Sequence, residues 1–220
     1  MQTTGPDVRC LVVVRSRSIA WSKAEPFGAE FVEVVIESDL LTAQGVAIGS
    51  APAPYRLDYE LATSPGFITT RLAVTARGDG WMRGLDLRRT PSGVWDETWT
   101  EAGLCRALGP RPPTDLNGLA DALDVDLGLS PLLNTPPVLR HGLLRGEGSV
   151  DLMMAWVSVP NLAVHRSPQR YSFVRALDDL RSVVRFESLG DDGFAADITY
   201  DADGLVLDYP GVGTRLRCER

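Results

Sequence analysis

The 220-residue chain carries a net charge of −7 and is 44% hydrophobic, which is typical of a globular protein with an apolar core rather than of a disordered chain. The acidic balance disfavours nucleic acid and anionic membrane as partners, because both are bound through clustered Lys and Arg side chains. An apolar run at residues 11–14 is far shorter than the ~20 residues of a membrane-spanning helix. No basic segment precedes it as in a signal peptide. We therefore expect a cytoplasmic protein without a transmembrane segment.

Antiparallel strands are predicted over most of the chain. Residues 55–61 give the clearest signal, because apolar and charged side chains alternate there with a period of two. Turn sequences separate successive apolar segments at about the spacing of an antiparallel meander. The predicted strands are residues 9–20, 31–37, 41–49, 55–61, 67–75, 81–89, 94–99, 149–159, 169–174, 183–188, 194–200, 205–209 and 214–218.

The weakest strand signal lies around residues 100–123, which we interpret as a loop-rich insertion in a single β domain of residues 1–220. A short helix is predicted at residues 115–123 and one helical turn at residues 177–180. About a dozen antiparallel strands with almost no helix should curl into a barrel, half-barrel or sandwich, because wide open sheets twist and expose edges.

A polar, proline-rich segment at residues 124–140, called the signature segment below, lies between the two groups of strands. Its residues 125–140 read VDLGLSPLLNTPPVLR, and this motif resembles that of a bacterial family of glycolipid-binding proteins, whose usual form is VDLG-x-x-P-x-x-NT-x-P-x-R-R. Residues 169–171 and 204–211 resemble later motifs of the same family. One position departs from the pattern, because Leu139 precedes Arg140 where the family has two basic residues.

The resemblance implies a fold and a ligand class. The family is related in fold to periplasmic lipoprotein carriers, so the resemblance implies an all-β, strongly curved, mostly antiparallel sheet that forms an incomplete barrel, with at most one or two short helices. Such a sheet has an apolar concavity, which would hold an amphipathic ligand such as a glycolipid. Burial of an acyl chain there would stabilise the complex by roughly 0.8 kcal/mol per methylene group.

Polar groups that suit a sugar or phosphate headgroup occur in and after the signature segment. Two tryptophans on one face of a strand could stack on a sugar ring or lie along a lipid tail. The candidate ligand-binding residues are Asp126, Asn134, Thr135, Arg140, Gln169, Arg170, Tyr171, Asp208, Tyr209, Trp95 and Trp99. Each also has a structural interpretation: polar residues beside prolines fix turns, tryptophans are usually core, and an Arg140–Asp208 ion pair would hold the signature segment against the C-terminal strands.

The residues give little support for a metal site or a cofactor, and we predict neither. His141 and His165 lack the spacing of a zinc motif. The acidic sequence at residues 201–204 begins like a calcium loop but lacks the later glutamate, so a hairpin turn is the better interpretation. The widely spaced cysteines Cys10, Cys105 and Cys218 are typical of reduced thiols, although a contact between the first and the last stays open.

The sequence is compatible with three functions. The first is a non-enzymatic protein that binds an amphipathic small molecule or lipid. The second is a hydrolase acting on a glycosyl or acyl ester, with Asp124 and Asp126 as paired carboxylates or Ser130 and His141 as a nucleophile and its base. The third is a protein-interaction module that uses open sheet edges. A carrier requires an apolar cavity with few perturbed titratable groups, and an enzyme requires two polar groups that converge within hydrogen-bond reach. An interaction module requires an exposed apolar patch or a bare edge and no cavity.

Overall fold

The computed structural model, which describes residues 14–111, 113–191 and 193–217, is an all-β structure. The fourteen strands of these residues form one sheet, in which every neighbouring pair is antiparallel except β8 and β9. The strands are β1 (Arg15–Lys23), β2 (Gly28–Ile36), β3 (Leu41–Gly49), β4 (Tyr55–Ser64), β5 (Ile68–Gly78), β6 (Trp81–Arg89), β7 (Trp95–Gly103), β8 (Asp124–Leu127), β9 (Ser149–Val157), β10 (Val164–Asp178), β11 (Arg181–Ser188), β12 (Ala195–Asp201), β13 (Val206–Tyr209) and β14 (Gly213–Arg215).

The sheet curls strongly along its width. Its strand order runs from β7 back to β1 and then from β14 back to β8. The edge strand β8 nevertheless meets β5, near the opposite edge: the Thr69 N–H donates to the Leu123 carbonyl at 3.0 Å, and the Val125 N–H donates to Thr69 Oγ1 at 3.4 Å. The edge strands β7 and β8 are not hydrogen-bonded to each other in the described residues. The predicted fold, a curved and mostly antiparallel sheet that forms an incomplete barrel, is confirmed.

The helical predictions were less accurate. Residues 115–123 hold only the 3-10 helix Asn117–Leu119. Residues 177–180 are the end of β10 and the turn before β11 rather than a helical turn. The predicted first strand starts before the described residues, and Cys10 and Cys218 also lie outside them. Cys105 is a free thiol.

The signature segment contains the principal helix, which the sequence did not predict. After β8 the chain forms the 3-10 helix Leu132–Asn134 and then α1 (Thr135–Arg140), with proline in the first turn of α1, where a missing N–H costs little. Residues 132–138 are all buried. They are enclosed because the segment contacts strands from both halves of the sheet: Ser130 bonds Glu30 of β2, and Asn134 bonds Tyr171 of β10. The signature segment therefore fills much of the concave side.

Two glycines of β3 accommodate tyrosine rings of β4. Gly45 lies directly opposite Tyr59, and Gly49 lies opposite Tyr55. A Cβ at position 45 would approach the Tyr59 hydroxyl to 2.5 Å. That ring cannot easily turn away, because its hydroxyl donates to buried Glu30 Oε1 at 2.7 Å. These glycines thus allow close packing inside the sheet.

We predict that Gly45→Ala lowers the free energy of unfolding by about 1–3 kcal/mol, as is usual for overpacking a fixed core site. The matched control is Gly146→Ala, because a Cβ at that position would meet no atom closer than 3.5 Å. Chemical denaturation of both variants measures the difference. Equal stability of the two variants would contradict this account of the Gly45–Tyr59 contact.

Candidate ligand-binding cleft

A chain of polar contacts crosses the enclosed side of the sheet. Gln169 Nε2 donates to Asp126 Oδ2 at 2.7 Å, and the Tyr171 hydroxyl lies 3.2 Å from Gln169 Oε1 and 2.9 Å from Asn134 Oδ1. Asn134 Nδ2 donates to the Ser130 carbonyl at 3.4 Å. Gln169, Tyr171 and Asn134 are buried, so these bonds satisfy polar groups that water cannot reach. The structure therefore brings four of the candidate ligand-binding residues into one network.

A second buried network lies beside the first. Glu30 accepts hydrogen bonds from the hydroxyls of Tyr59 and Ser130, each at 2.7 Å, and forms an ion pair with Lys23 at 3.3 Å. Only 2% of Glu30 and 8% of Lys23 are exposed. A buried ion pair is retained only with good geometry and additional hydrogen bonds, and this pair has both. The sequence did not single out Glu30, because an alternating strand gives no sign that one inward position is charged.

Arg140 is held by the other carboxylate of β8. Its guanidinium makes a two-point contact with Asp124, in which Nη1 donates to Oδ1 at 2.7 Å and Nη2 donates to Oδ2. Asp124 is 1% exposed. The suggested Arg140–Asp208 ion pair was wrong, because Asp208 faces away and accepts a hydrogen bond from Thr214 Oγ1 at 2.6 Å. The side chain of Arg140 thus fixes α1 against β8.

A cleft of about 580 Å³ opens beside the first network. Its lining includes the network residues Asp126, Ser130, Asn134 and Gln169, called the floor below. The rest of the lining combines aromatic and aliphatic side chains with polar residues, namely Ser158, Arg166, Ser167, Ser188 and Asp191. The apolar lining residues, called the wall below, are Leu129, Trp156, Val159, Pro168, Phe186, Phe194, Tyr209 and Val212. The cleft is the part of the enclosed side that the signature segment does not fill. Its volume and mixed lining are those of sites that enclose a small amphipathic molecule.

Asp126 is the titratable group of the cleft floor. Burial raises the pKa of its carboxyl to about 6, the hydrogen bond from Gln169 opposes this, and the charge of Asp124 adds to it. The phenols of Tyr171 and Tyr200 have pKa values well above the usual 10.0, mainly because both are buried, so they stay neutral. The cleft therefore gains one negative charge as the pH rises through about 6.

Seven of the candidate residues do not line the cleft. Arg140 and Tyr171 instead bond residues of the signature segment, as described above. Thr135 is buried, and its hydroxyl has no hydrogen-bond partner among the described residues. Arg170 forms an ion pair with Asp151 on the other face of β10 at 2.6 Å, and Asp208 also faces outward.

The candidate tryptophans lie on the edge strand β7, under the loop that follows it. Trp95 Nε1 donates to the Ala122 carbonyl at 3.1 Å. The ring of Trp99 has the Arg111 guanidinium at 4.3 Å from its centre. Asp126, Asn134, Gln169 and Tyr209 are thus the candidates that the structure places on the cleft.

The sequence did not predict the aromatic wall of the cleft, although one signal of it was present. The predicted strand at residues 149–159 carries apolar side chains on both faces, and Met154, Ala155 and Val157 are buried. Trp156 is half-buried at the cleft. An amphipathic side chain near the end of an otherwise apolar strand is a reason to consider a binding role.

No metal site occurs in the described ranges, where His, Cys, Asp and Glu side chains nowhere form a group of three suited to an ion. The acidic sequence at residues 201–204 forms a hairpin turn, in which Asp201 Oδ1 accepts the backbone N–H groups of Asp203 and Leu205 at 3.0 and 2.9 Å. Among the helices of the same ranges, none has the length and apolarity to cross a membrane.

The raised pKa of Asp126 predicts a cost to stability. Its carboxyl binds a proton more tightly in the folded protein than in the unfolded chain, so ionisation opposes folding; this penalty is absent below pH 4 and complete above pH 7. Asp126→Asn should therefore raise the free energy of unfolding by about 1–2 kcal/mol at pH 7.5 and by about a third as much at pH 4.5. Thermal unfolding at the two pH values measures this. Destabilisation at pH 7.5 would contradict the assigned environment.

Comparison with known proteins places the chain in a family. The family model described as "Putative glycolipid-binding" matches residues 18–215. The structure is similar to the crystal structure of a DUF1089-family protein from Pseudomonas aeruginosa, with a TM-score of 0.63 and 24% identity over 98% of this chain and 100% of that one. This likeness supports the fold. No curated protein matches the sequence. The family model spans most of the chain, so the resemblance carried by the signature segment is confirmed, and this chain belongs to the putative glycolipid-binding family.

Proposed function

We propose that this protein binds an amphipathic small molecule in the cleft without transforming it, and that a glycolipid is the ligand class. The observation that carries the proposal is the mixed lining of the cleft, which combines the polar groups of Asp126 and Gln169 with the aromatic rings of Trp156 and Phe186. An amphipathic molecule can satisfy both parts at once. The family to which the chain belongs supports the same ligand class.

The size of the cleft indicates which part of such a ligand enters. Because buried residues of the signature segment fill most of the concave side, the remaining 580 Å³ suits a headgroup and the start of a tail rather than a whole diacyl lipid. This differs from the open apolar concavity that the resemblance implied. The lining residue Phe194 is 38% exposed and would contact the emerging tail.

The observations favour binding over hydrolysis. Both oxygens of Asp124 are engaged by Arg140, so this carboxylate and Asp126 do not form a free catalytic pair. The Ser130 hydroxyl donates to Glu30, and the exposed His141 contacts Arg140 at 3.3 Å. A nucleophile and a base in hydrogen-bond contact, as acyl or glycosyl transfer requires, are therefore missing from the two proposed arrangements.

The interaction-module alternative is also less favoured. It required a fold with a bare edge or apolar patch and no cavity, whereas the cleft is present. The single-domain organisation of residues 1–220, the cytoplasmic location and the absence of a nucleic-acid partner stay predictions.

Blocking the cleft tests the proposal. Ser188 lines the cleft from β11 directly opposite Gln169, so Ser188→Trp places an indole in the space. The control is Ser18→Trp on the exposed face of β1. After incubation with a bacterial lipid extract, native mass spectrometry should show a bound amphiphile on the wild type and on the control. It should show at least about tenfold weaker binding, or 1.4 kcal/mol, on Ser188→Trp.

Lipid analysis of the released molecule would then identify the ligand. Thermal unfolding must show that both variants remain folded. An unliganded wild-type mass, or equal loading of the two tryptophan variants, would overturn the proposed site.

A further inference from the structure

The floor of the cleft has more hydrogen-bond acceptors than donors. The single proton of the Tyr171 hydroxyl faces two amide oxygens, Asn134 Oδ1 at 2.9 Å and Gln169 Oε1 at 3.2 Å, and can satisfy only one of them at a time. The Gln169 amide nitrogen is already engaged by Asp126 Oδ2 at 2.7 Å and by Ser167 Oγ at 3.2 Å. The protein therefore supplies the floor with few free donors.

Asp126 has an acceptor that the protein leaves open. Its Oδ2 accepts from Gln169, whereas Oδ1 has no hydrogen-bond partner within residues 14–111, 113–191 and 193–217. The residue is half-buried and lines the cleft, so this oxygen is available to a ligand but poorly hydrated. The hydroxyls of Ser188 and Tyr209 can donate or accept and do not discriminate, whereas an ionised carboxylate can only accept.

The charged residues around the cleft also favour a ligand with hydrogen-bond donors over an anion. Asp126 and Asp191 line the cleft, and among the described residues of its lining Arg166 is the one cation. The Arg166 guanidinium is turned to the loop before β8, where it contacts the Gly118 carbonyl and lies 3.3 Å from Asp121 Oδ2. An anion in the cleft would therefore meet carboxylates and no free guanidinium, and like charges in a poorly hydrated site repel strongly.

We propose that the end of the ligand that enters the cleft carries hydroxyl or ammonium donors that bind Asp126, and that the cleft rejects carboxylate and phosphate groups. This inference rests on the proposed function and adds the chemistry of the recognised group. The rings of Trp156 and Phe186 would cover the apolar face of that group while its donors reach the floor. Fatty acids and anionic phospholipids are thereby excluded as ligands.

The ionisation of Asp126 controls the charge of the cleft floor, because the groups that face this carboxyl are either ion-paired or neutral. Asp124 on β8 is held in its ion pair with Arg140, and Gln169 on β10 is neutral. The remaining neighbours are the neutral phenols of Tyr171 on β10, Tyr200 on β12 and Tyr209 on β13. Binding of a cationic headgroup should therefore weaken as the pH falls through about 6, where Asp126 takes up its proton.

A set of single-chain amphiphiles with the same tail tests the inference. Isothermal titration calorimetry at pH 7.5 would compare dodecyl maltoside, dodecylamine, dodecanoate and dodecyl phosphate, each below its critical micelle concentration. We expect the maltoside, the amine or both to bind, and the two anions to bind at least about tenfold more weakly than the better donor ligand, as expected for one charge-assisted contact. The order of the maltoside and the amine then distinguishes a sugar from an amine headgroup.

Two variants distinguish the effect of the Asp126 charge on ligand affinity from the effect of side-chain shape. Asp126→Asn keeps the side-chain volume, and it should weaken the better donor ligand about tenfold and improve dodecanoate. Asp208→Asn is the matched control, because Asp208 faces away from the cleft and bonds Thr214; it should leave all four affinities unchanged. Thermal unfolding shows that both variants are folded.

The outcomes distinguish the two proposals. Anions that bind as tightly as the donor ligands, or an Asp126→Asn profile identical to that of the control, would overturn the inference while the proposed function stands. If none of the four amphiphiles binds and the lipid extract also leaves the protein unliganded, the proposed function fails and the inference fails with it.

Discussion

The structure depends on the polar anchoring of the signature segment inside the curved sheet. The Arg140 guanidinium forms an ion pair with the Asp124 carboxylate. Asn134 Oδ1 accepts a hydrogen bond from the Tyr171 hydroxyl, and the Ser130 hydroxyl donates one to the Glu30 carboxylate. The contacts of Asn134 and Ser130 join the segment to β10 and β2, whereas the contact of Arg140 holds α1 against β8 within the segment. Each partner is buried, so loss of one partner would leave an uncompensated polar group. Apolar packing alone tolerates small shifts, whereas these bonds require one position and one orientation. The segment therefore acts as a fixed inner wall rather than as a mobile loop.

That fixed wall explains how a curved sheet has a small cleft instead of a large empty concavity. The segment occupies most of the enclosed side, and the unfilled remainder is bounded by Asp126 and Asn134 below and by Trp156 and Phe186 across. The network that holds the segment is also the floor of the cleft. Stability and recognition are coupled for this reason: Asp126 is destabilising when ionised in the free protein, because burial raises its pKa, yet the same charge is what a ligand with donors would bind.

The sequence predicted the sheet well because alternation with a period of two is a local signal, and turn residues between the strands reinforce it. The β2–β6 strands and the curl of the sheet followed from these signals. Partners distant in the chain could not be predicted in the same way. Arg140 could have met Asp208 as reasonably as Asp124, and nothing local indicated that Glu30 is buried with Lys23. The resemblance located the signature segment, and Asp126, Asn134, Gln169 and Tyr209 do line the cleft, but Arg170 and Asp208 face outward because a side chain's face depends on its register in the sheet.

The most direct test of this account is a crystal structure of the protein grown with the amphiphile that it retains from a bacterial lipid extract. The account predicts electron density in the cleft, with the headgroup on Asp126 and against Trp156, and with the tail leaving past Phe194. Density for the ligand on the outer face of the sheet, for example in the groove between Glu33 and Arg71, would contradict it. The signature segment would then be a structural element whose polar contacts serve only to hold the fold.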